Sequence, residues 1–349
     1  MTLTKAERGG QPLVEIRDLA VDFPVPGRGS DGRRRALHAV AGVSLDVSVG
    51  ETFGLVGESG SGKTTLGRAV LRLQKTVAGT VTFDGREISN LSQRDLRPIR
   101  REMQMIFQDP YSSLNRRLTV EELIRRPMAI QRTQPRVAQR ARVAELLDMV
   151  GLPRTMLGRY PVELSGGQRQ RVGIARALAT RPRFIVCDEP ISALDVSVQA
   201  QIIDLLRSLQ EELGIAYLVI GHDLAAVRDM SDTVGVMYLG SLVEKAPTRD
   251  LFESTLHPYT MALISAAPIP DPRVQRTRER IILQGELPSP LDAPRGCAFA
   301  SRCPVSQQRC WNERPTLVEA RPGHLVACHF WNDIQGLAGL RIHPVHEEQ

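Results

Sequence analysis

The sequence predicts an α/β fold: a mostly parallel sheet core, an antiparallel β subdomain, a helical subdomain and a small Cys-rich C-terminal module. Three observations carry this. An apolar strand runs through a glycine-rich turn into a helix within residues 52–73. Apolar strands alternate with amphipathic helices from Arg169 to about Val243, the pattern of a parallel sheet covered by helices. Four of the five cysteines lie in the last quarter, beyond Pro-rich text that begins after Leu263.

The elements follow in order. Residues 13–23, LVEIRDLAVDF, mix β-branched and charged residues and read as a strand, and the Gly/Arg-rich stretch 24–37 reads as a loop. Residues 36–73 hold alternating strands, the glycine-rich turn and a helix. Residues 77–88, VAGTVTFDGREI, form strand, turn and strand, with Asp84-Gly85 as the hairpin signal. From about Leu91 to Tyr160 the period is helical. RPRFIVCDEP (181–190) is an apolar strand ending in two acids, residues 196–214 are an amphipathic helix, and IAYLVIGHD (215–223) is another buried strand. The expected domains are residues 1–265, with a helical subdomain at about 91–165, and residues 266–349.

Composition narrows the function. A chain of 349 residues with 42% apolar and 24% charged residues can bury one large or two ordinary cores. The net charge of +6 suits a soluble surface, and 4% aromatic residues argue against base stacking, so no nucleic-acid partner is expected. No apolar run reaches the roughly 18 residues of a membrane span. Lys5, Glu7, Arg8 and Glu15 stand where a secretory signal needs an apolar run, so a cytoplasmic location is expected. The charge excess is local: residues 91–160 carry 14 Arg and no Lys against seven acids. Such a block is either a solvated helical face or a surface that docks near anionic headgroups.

The segment Gly57-Glu58-Ser59-Gly60-Ser61-Gly62-Lys63-Thr64-Thr65 satisfies G-x-x-x-x-G-K-[ST] between an apolar strand and a helix. Small residues let successive backbone N–H groups converge on phosphate oxygens, and the helix presents its positive end to them. Lys63 would neutralise the β- and γ-phosphates and Thr64 would ligate Mg²⁺. The strand 184–187 delivers Asp188 and Glu189 to its C-terminal edge, where open α/β sheets bind ligands. Asp188 would hold Mg²⁺ and Glu189 would act as general base on the attacking water. Cys187, in the same strand, reads as a core residue.

Leu164-Ser165-Gly166-Gly167-Gln168 resembles the signature of ATP-binding cassette (ABC) ATPases, and the motif order around it resembles theirs over residues 13–265. The resemblance implies a P-loop NTPase fold of the ABC ATPase type, with two ATP molecules sandwiched between two cassettes. Ser165, Gly166, Gly167 and Gln168 would then grip, in trans, a γ-phosphate held by the opposing loop, using the N-terminus of the helix they open. It also implies that Gln108 senses Mg²⁺ and the attacking water. Ser192-Ala193-Leu194-Asp195 would cross the dimer interface, and His222 would bond the γ-phosphate and hold base and water in place. Phe23 matches the aromatic that stacks on adenine, although a core strand residue reads the same way. The chain departs from the family's commonest text at Gly221, where serine is usual, and after Asn115, where a proline is often found.

One cassette without a span implies separate membrane partners. FQDPYSSLN (107–115) and the C-terminal extension resemble the ATP-binding subunits of oligopeptide and dipeptide importers, closer to the second of their two non-identical ATPases. The implied assembly has a second, non-identical ABC ATPase subunit, two transmembrane permease subunits and an extracytoplasmic solute-binding protein. It would sit peripherally on the cytoplasmic face of the inner membrane. The alternatives are import of another small solute such as nickel, or a soluble ABC ATPase acting on ribosome or DNA. Cys297, Cys303, Cys310 and Cys328, with Pro304 after the second, suit an iron–sulfur cluster; tetrahedral Zn²⁺ also accepts four thiolates, and four free thiols are the plain reading. Relatives with a similar tail imply a [4Fe–4S] cluster. His257-Pro258-Tyr259-Thr260 resembles a segment recurring at this boundary and is expected to be structural.

Overall fold

The computed structural model describes residues 12–28, 34–132, 135–192, 194–267, 281–283, 285, 288–289, 291 and 295–333. The N-terminal residues 1–11 used to argue location, Ala193 of the interface loop and most of the Pro-rich linker lie outside the described residues.

Strands β1 (Val14–Arg28) and β2 (Arg34–Val47) lead into β3 (Thr52–Val56) and helix α1 (Lys63–Val70). Then come β4 (Ala78–Phe83), β5 (Arg86–Glu87), α2 (Gln93–Glu102) and β6 (Met103–Ile106). A helical stretch follows: α3 (Pro110–Ser113), α4 (Val120–Gln131), α5 (Arg136–Met149) and α6 (Gly166–Leu178). The chain returns to the sheet with β7 (Phe184–Asp188), α7 (Val196–Leu213), β8 (Ala216–Ile220), α8 (Leu224–Met230), β9 (Thr233–Tyr238) and β10 (Ser241–Pro247). Helices α9 (Thr248–Glu253), α10 (Pro258–Ala266) and α11 (Gln308–Asn312) precede a final hairpin, β11 (Val318–Arg321) and β12 (His324–Val326).

Two sheets result. The antiparallel one has order β2-β1-β4-β5, and the larger one has order β11-β12-β10-β9-β3-β8-β7-β6. From β9 to β6 neighbouring strands are parallel, as the alternating pattern predicts, while β9-β10, β10-β12 and β12-β11 are antiparallel. Side chains alternate across the parallel sheet. Phe184 and Val186 of β7, with Leu218 and Ile220 of β8, face the antiparallel sheet and α1. Ile185, Cys187, Tyr217 and Val219 face the core shared with α6, α7 and the helical region. Cys187 is fully buried there, and burial pushes its thiol well above the ordinary range.

The expected loop over residues 24–37 is largely strand. β1 runs on to Arg28 and β2 starts at Arg34, with Pro24 opposite Ala36 and an irregularity between Pro24 and Arg28. A proline is tolerated where the register breaks, because no ladder bond needs its missing N–H. The Asp84-Gly85 turn is a hairpin, with φ of 51° and 73° closing β4 on β5. The helical period over 91–160 is interrupted by β6, four residues of apolar edge strand beside β7 that are too short to show a period of two. The C-terminal region also joins the main sheet, since β12 pairs with β10 through Glu244–Val326 and Lys245–Leu325.

Candidate functional site

The C-terminal ends of β3, β8 and β7 lie side by side, and the chain after each end supplies a candidate site residue. After β3 the loop 57–62 turns back with positive φ at Gly57 (151°), Gly60 (79°) and Gly62 (99°), angles that side chains with a Cβ rarely adopt. Two of these glycines are also required by close approach. A Cβ at Gly57 would lie 2.2 Å from the Met237 carbonyl oxygen, and one at Gly62 would lie 2.1 Å from that of Ala39. At Gly60 nothing stands within 4 Å, so this side of the loop is open; Ser59 beside it is exposed.

Lys63 opens α1 and is buried at 5% exposure. Its ammonium donates to the carbonyls of Gly57 (2.7 Å) and Glu58 (2.8 Å) and to Ser61 Oγ (3.1 Å). Burial lowers its pKa, against the opposing pull of Glu189, Asp188 and Glu58. The next residue, Thr64, donates from Oγ1 to Asp188 Oδ1 at 2.7 Å. Asp188 is fully buried, its pKa is raised by that burial, and its Oδ2 has no hydrogen-bond partner. A hydroxyl and a carboxylate with an unpartnered oxygen, beside a phosphate-type loop, are the hard oxygen donors that Mg²⁺ prefers, so these residues fit the ion. Thr65, within α1, is half-buried.

Glu189 follows at φ 45°, an uncommon angle for a non-glycine residue, held by its N–H donating to Ile220 O at 2.9 Å. Its Oε2 accepts from Gln108 Nε2 at 2.8 Å and faces His222 Nδ1 at 3.3 Å. Gln108 comes from the turn after β6 and His222 from the turn after β8, so three strand ends converge on one carboxylate. A Cβ at Gly221 would come 2.7 Å from Val227 Cγ2, which explains the glycine where serine is usual.

The signature residues stand apart from this group. Ser165 caps α6: its Oγ accepts from Gln168 N (3.3 Å), while its own N–H donates to Gln168 Oε1 (2.9 Å), a full capping box. Gly166 lies against Leu194, and Gly167 lies against Val198 at the start of α7. Asp195 caps α7 by accepting from Val198 N at 3.0 Å. Among the described residues no hydrogen bond links 165–168 to the loop 57–65. Phe23 is half-buried against the core of the antiparallel sheet and pairs with Leu37, two residues from the Ala39 carbonyl that abuts Gly62.

The four C-terminal cysteines are all free and line one small cavity, with His257 and Phe299 in its wall. Burial pushes the Cys303 thiol up to about 12 and that of Cys328 up to about 11, and neighbouring thiols of the group push the same way. Among the described residues no group of three His, Cys, Asp or Glu side chains stands close enough to hold a metal ion. The four-thiolate metal site expected from spacing is therefore not assembled as such; the thiols share a cavity wall.

Two contacts reach Glu58 of this loop from far along the chain, one from Tyr259 of the segment expected to be structural and one from Arg302, which no sequence motif marks. Tyr259 Oη accepts from Glu58 N at 2.8 Å. Arg302 forks the Glu58 carboxylate, Nη1 to Oε2 at 2.7 Å and Nη2 to Oε1 at 2.9 Å.

The ABC transporter family matches residues 40–192, and the oligopeptide/dipeptide transporter C-terminal region matches residues 243–310. The chain is 50% identical to YkfD of Bacillus subtilis over 325 residues, 93% of this chain and 97% of that one. It is 48% identical to the oligopeptide transport ATP-binding protein AppF of the same organism over 323 residues, 92% of this chain and 98% of that one. Among solved structures, the post-hydrolysis dimer of the ATP-binding cassette MJ0796 bound to ADP and Pi matches with a TM-score of 0.60 and 30% identity, covering 68% of this chain and 99% of that chain. With cassette fold, phosphate loop, paired acids and signature in one chain, this protein belongs to the ABC transporter ATP-binding proteins, in the branch that carries the oligopeptide/dipeptide transporter C-terminal region.

Proposed function

We propose that this chain is an ATP-hydrolysing subunit of a membrane importer of oligopeptides or dipeptides. The observation that carries the reading is near-full-length identity of 48% with AppF, an oligopeptide transport ATP-binding protein, together with a matching C-terminal region. Among the described residues no helix is long and apolar enough to cross a membrane, so the permease function falls to other chains. The proposed assembly pairs this cassette with a second, non-identical ATPase on two permease subunits, fed by an extracytoplasmic binding protein, with this chain peripheral on the cytoplasmic face.

Within the chain, residues 57–65 cradle the triphosphate and Lys63 neutralises its β- and γ-phosphates. Thr64, Asp188 and Gln108 would hold Mg²⁺, which, when bound, offsets phosphate charge. Glu189 accepts a proton from the attacking water, oriented by Gln108 and His222, whose distances of 2.8 and 3.3 Å support that role. Phe23 would stack on adenine. Ser165, Gly166, Gly167 and Gln168 act on the companion's nucleotide, and the segment around Ser192 and Asp195 lies at the interface. Their separation from this chain's own loop supports a role in trans.

Cys297, Cys303, Cys310 and Cys328 would hold a [4Fe–4S] cluster. Four free thiols lining one cavity support this reading. Tetrahedral Zn²⁺, which also accepts four thiolates, is the alternative. The functional test is reconstitution with the cognate permease subunits in vesicles. ATPase activity that rises with permease and peptide-loaded binding protein supports the reading; stimulation by RNA or DNA instead would overturn it.

A further inference from the structure

We propose that Arg302 is a positioning residue for ATP binding, which neutralises and holds Glu58 so that the nucleotide loop presents a net attractive field to the phosphates. The proposal rests on the reading of residues 57–65 as the ATP loop. Glu58 places a carboxylate in the phosphate cradle, which would repel the ligand unless another charge cancels it. Arg302 supplies that charge as a two-bond fork, from a side chain only 10% exposed. The Glu58 side chain is 30% exposed, so water screens the pair only in part, and removing the cation leaves the carboxylate uncompensated in the loop.

The geometry links the fork to the rest of the loop. Glu58 is held at three points: its carboxylate by Arg302, its N–H by Tyr259 Oη at 2.8 Å, and its carbonyl by Lys63 Nζ at 2.8 Å. The first two holds both come from the C-terminal region and rest on one aromatic block. Tyr238 packs edge-on against Tyr259 (4.7 Å between centroids) and Phe299 (5.3 Å), and Arg302 N donates to Phe299 O at 3.0 Å. Arg302 immediately precedes Cys303, so the Cys-lined region and the nucleotide loop are joined through this ion pair as well as through the Tyr259 bond to Glu58 N. Any change that shifts the 297–303 turn is transmitted to Glu58 and to the carbonyl that Lys63 holds.

The test is equilibrium binding of a fluorescent ATP analogue to the full-length chain, with kcat and KM measured on the assembled transporter. Arg302→Leu is expected to weaken binding on the order of tenfold and raise KM likewise, with kcat changed less than about twofold. Adding Glu58→Gln to Arg302→Leu is expected to restore most of the affinity, because the repelling charge is then gone. Arg302→Lys, which keeps the charge without the fork, is expected to stay within about threefold of the parent. An unchanged KM in Arg302→Leu, or a double variant as weak as the single, overturns the proposal. If Arg302→Leu does not fold, Arg302→Lys with tenfold weaker binding that Glu58→Gln leaves uncorrected overturns it equally. Failure of the ATP-loop reading itself is separate: Lys63→Ala would then bind the analogue as tightly as the parent.

Discussion

Replacing Glu189 by Gln removes the proposed proton acceptor while leaving the shape of the site almost intact. Gln108 Nε2 donates to Glu189 Oε2 at 2.8 Å, and an amide oxygen can accept the same bond. His222 faces that oxygen at 3.3 Å from a side chain 59% exposed, so losing the charge there disturbs little. The structural cost is the difference between a charge-assisted and a neutral hydrogen bond, about 1 kcal/mol. The catalytic cost is that of a general base, about 10²- to 10⁴-fold in rate, or roughly 3–5 kcal/mol of barrier. Turnover therefore falls far more than binding or stability. Phosphate release by the reconstituted complex is expected to drop at least about a hundredfold, while ATP affinity stays within about threefold. Hydrolysis within tenfold of the parent would remove Glu189 from the base role and refute the reasoning from its convergent neighbours.

Three further outcomes are expected. Lys63→Ala should lose more than about tenfold in nucleotide affinity, because the only ammonium inside the cradle disappears; titration with a fluorescent analogue reads this, and unchanged affinity contradicts it. Buried His257 is held neutral, its pKa pushed down to about 3 by burial from the ordinary 6.5. The unfolded chain takes up this proton as pH falls below about 6.5 and the folded chain does not, so stability is full above that pH and declines below it. The loss amounts to about 2 kcal/mol by pH 5. Denaturant melts at pH 7 and pH 5 should show a smaller loss in His257→Asn than in the parent, and equal losses would contradict the assignment. Chain purified without oxygen should carry about four irons and four acid-labile sulfides; a colourless protein holding one zinc would overturn the cluster.

The parts of the proposed nucleotide site are legible in the sequence because they are local strings. Gly57–Thr65, Asp188–Glu189 and Ser165–Gln168 each lie within nine residues, and each demands a strand end or helix start that the neighbouring text supplies. Their convergence was legible too, since parallel strands deliver their C-terminal ends to one edge. The contacts on Glu58 were not. Tyr259 and Arg302 lie 201 and 244 residues away in sequence, and nothing in the text around either marks a partner in the loop. HPYT is structural in that His257 caps α10 and Tyr259 is buried, but its phenol also holds the loop. β6 was hidden because four residues cannot display a period, and the joining of β12 to β10 depends on tertiary pairing alone. At residues 24–28 turn-type composition was overridden by pairing along a long two-stranded ribbon.

ATP held by residues 57–65 of this chain is expected to be completed by the Ser-Gly-Gly corner of a companion cassette. Vanadate trapping of the transporter, followed by photocleavage and mapping of the fragments, tests it most directly. Cleavage within 57–65 of this chain, together with cleavage at the companion's corresponding corner, is the predicted result; Ser165→Arg in this chain should remove the cut at Ser165 and leave the one in its own loop. Cleavage confined to the loop, with the opposing corner untouched in the trapped complex, would contradict the account.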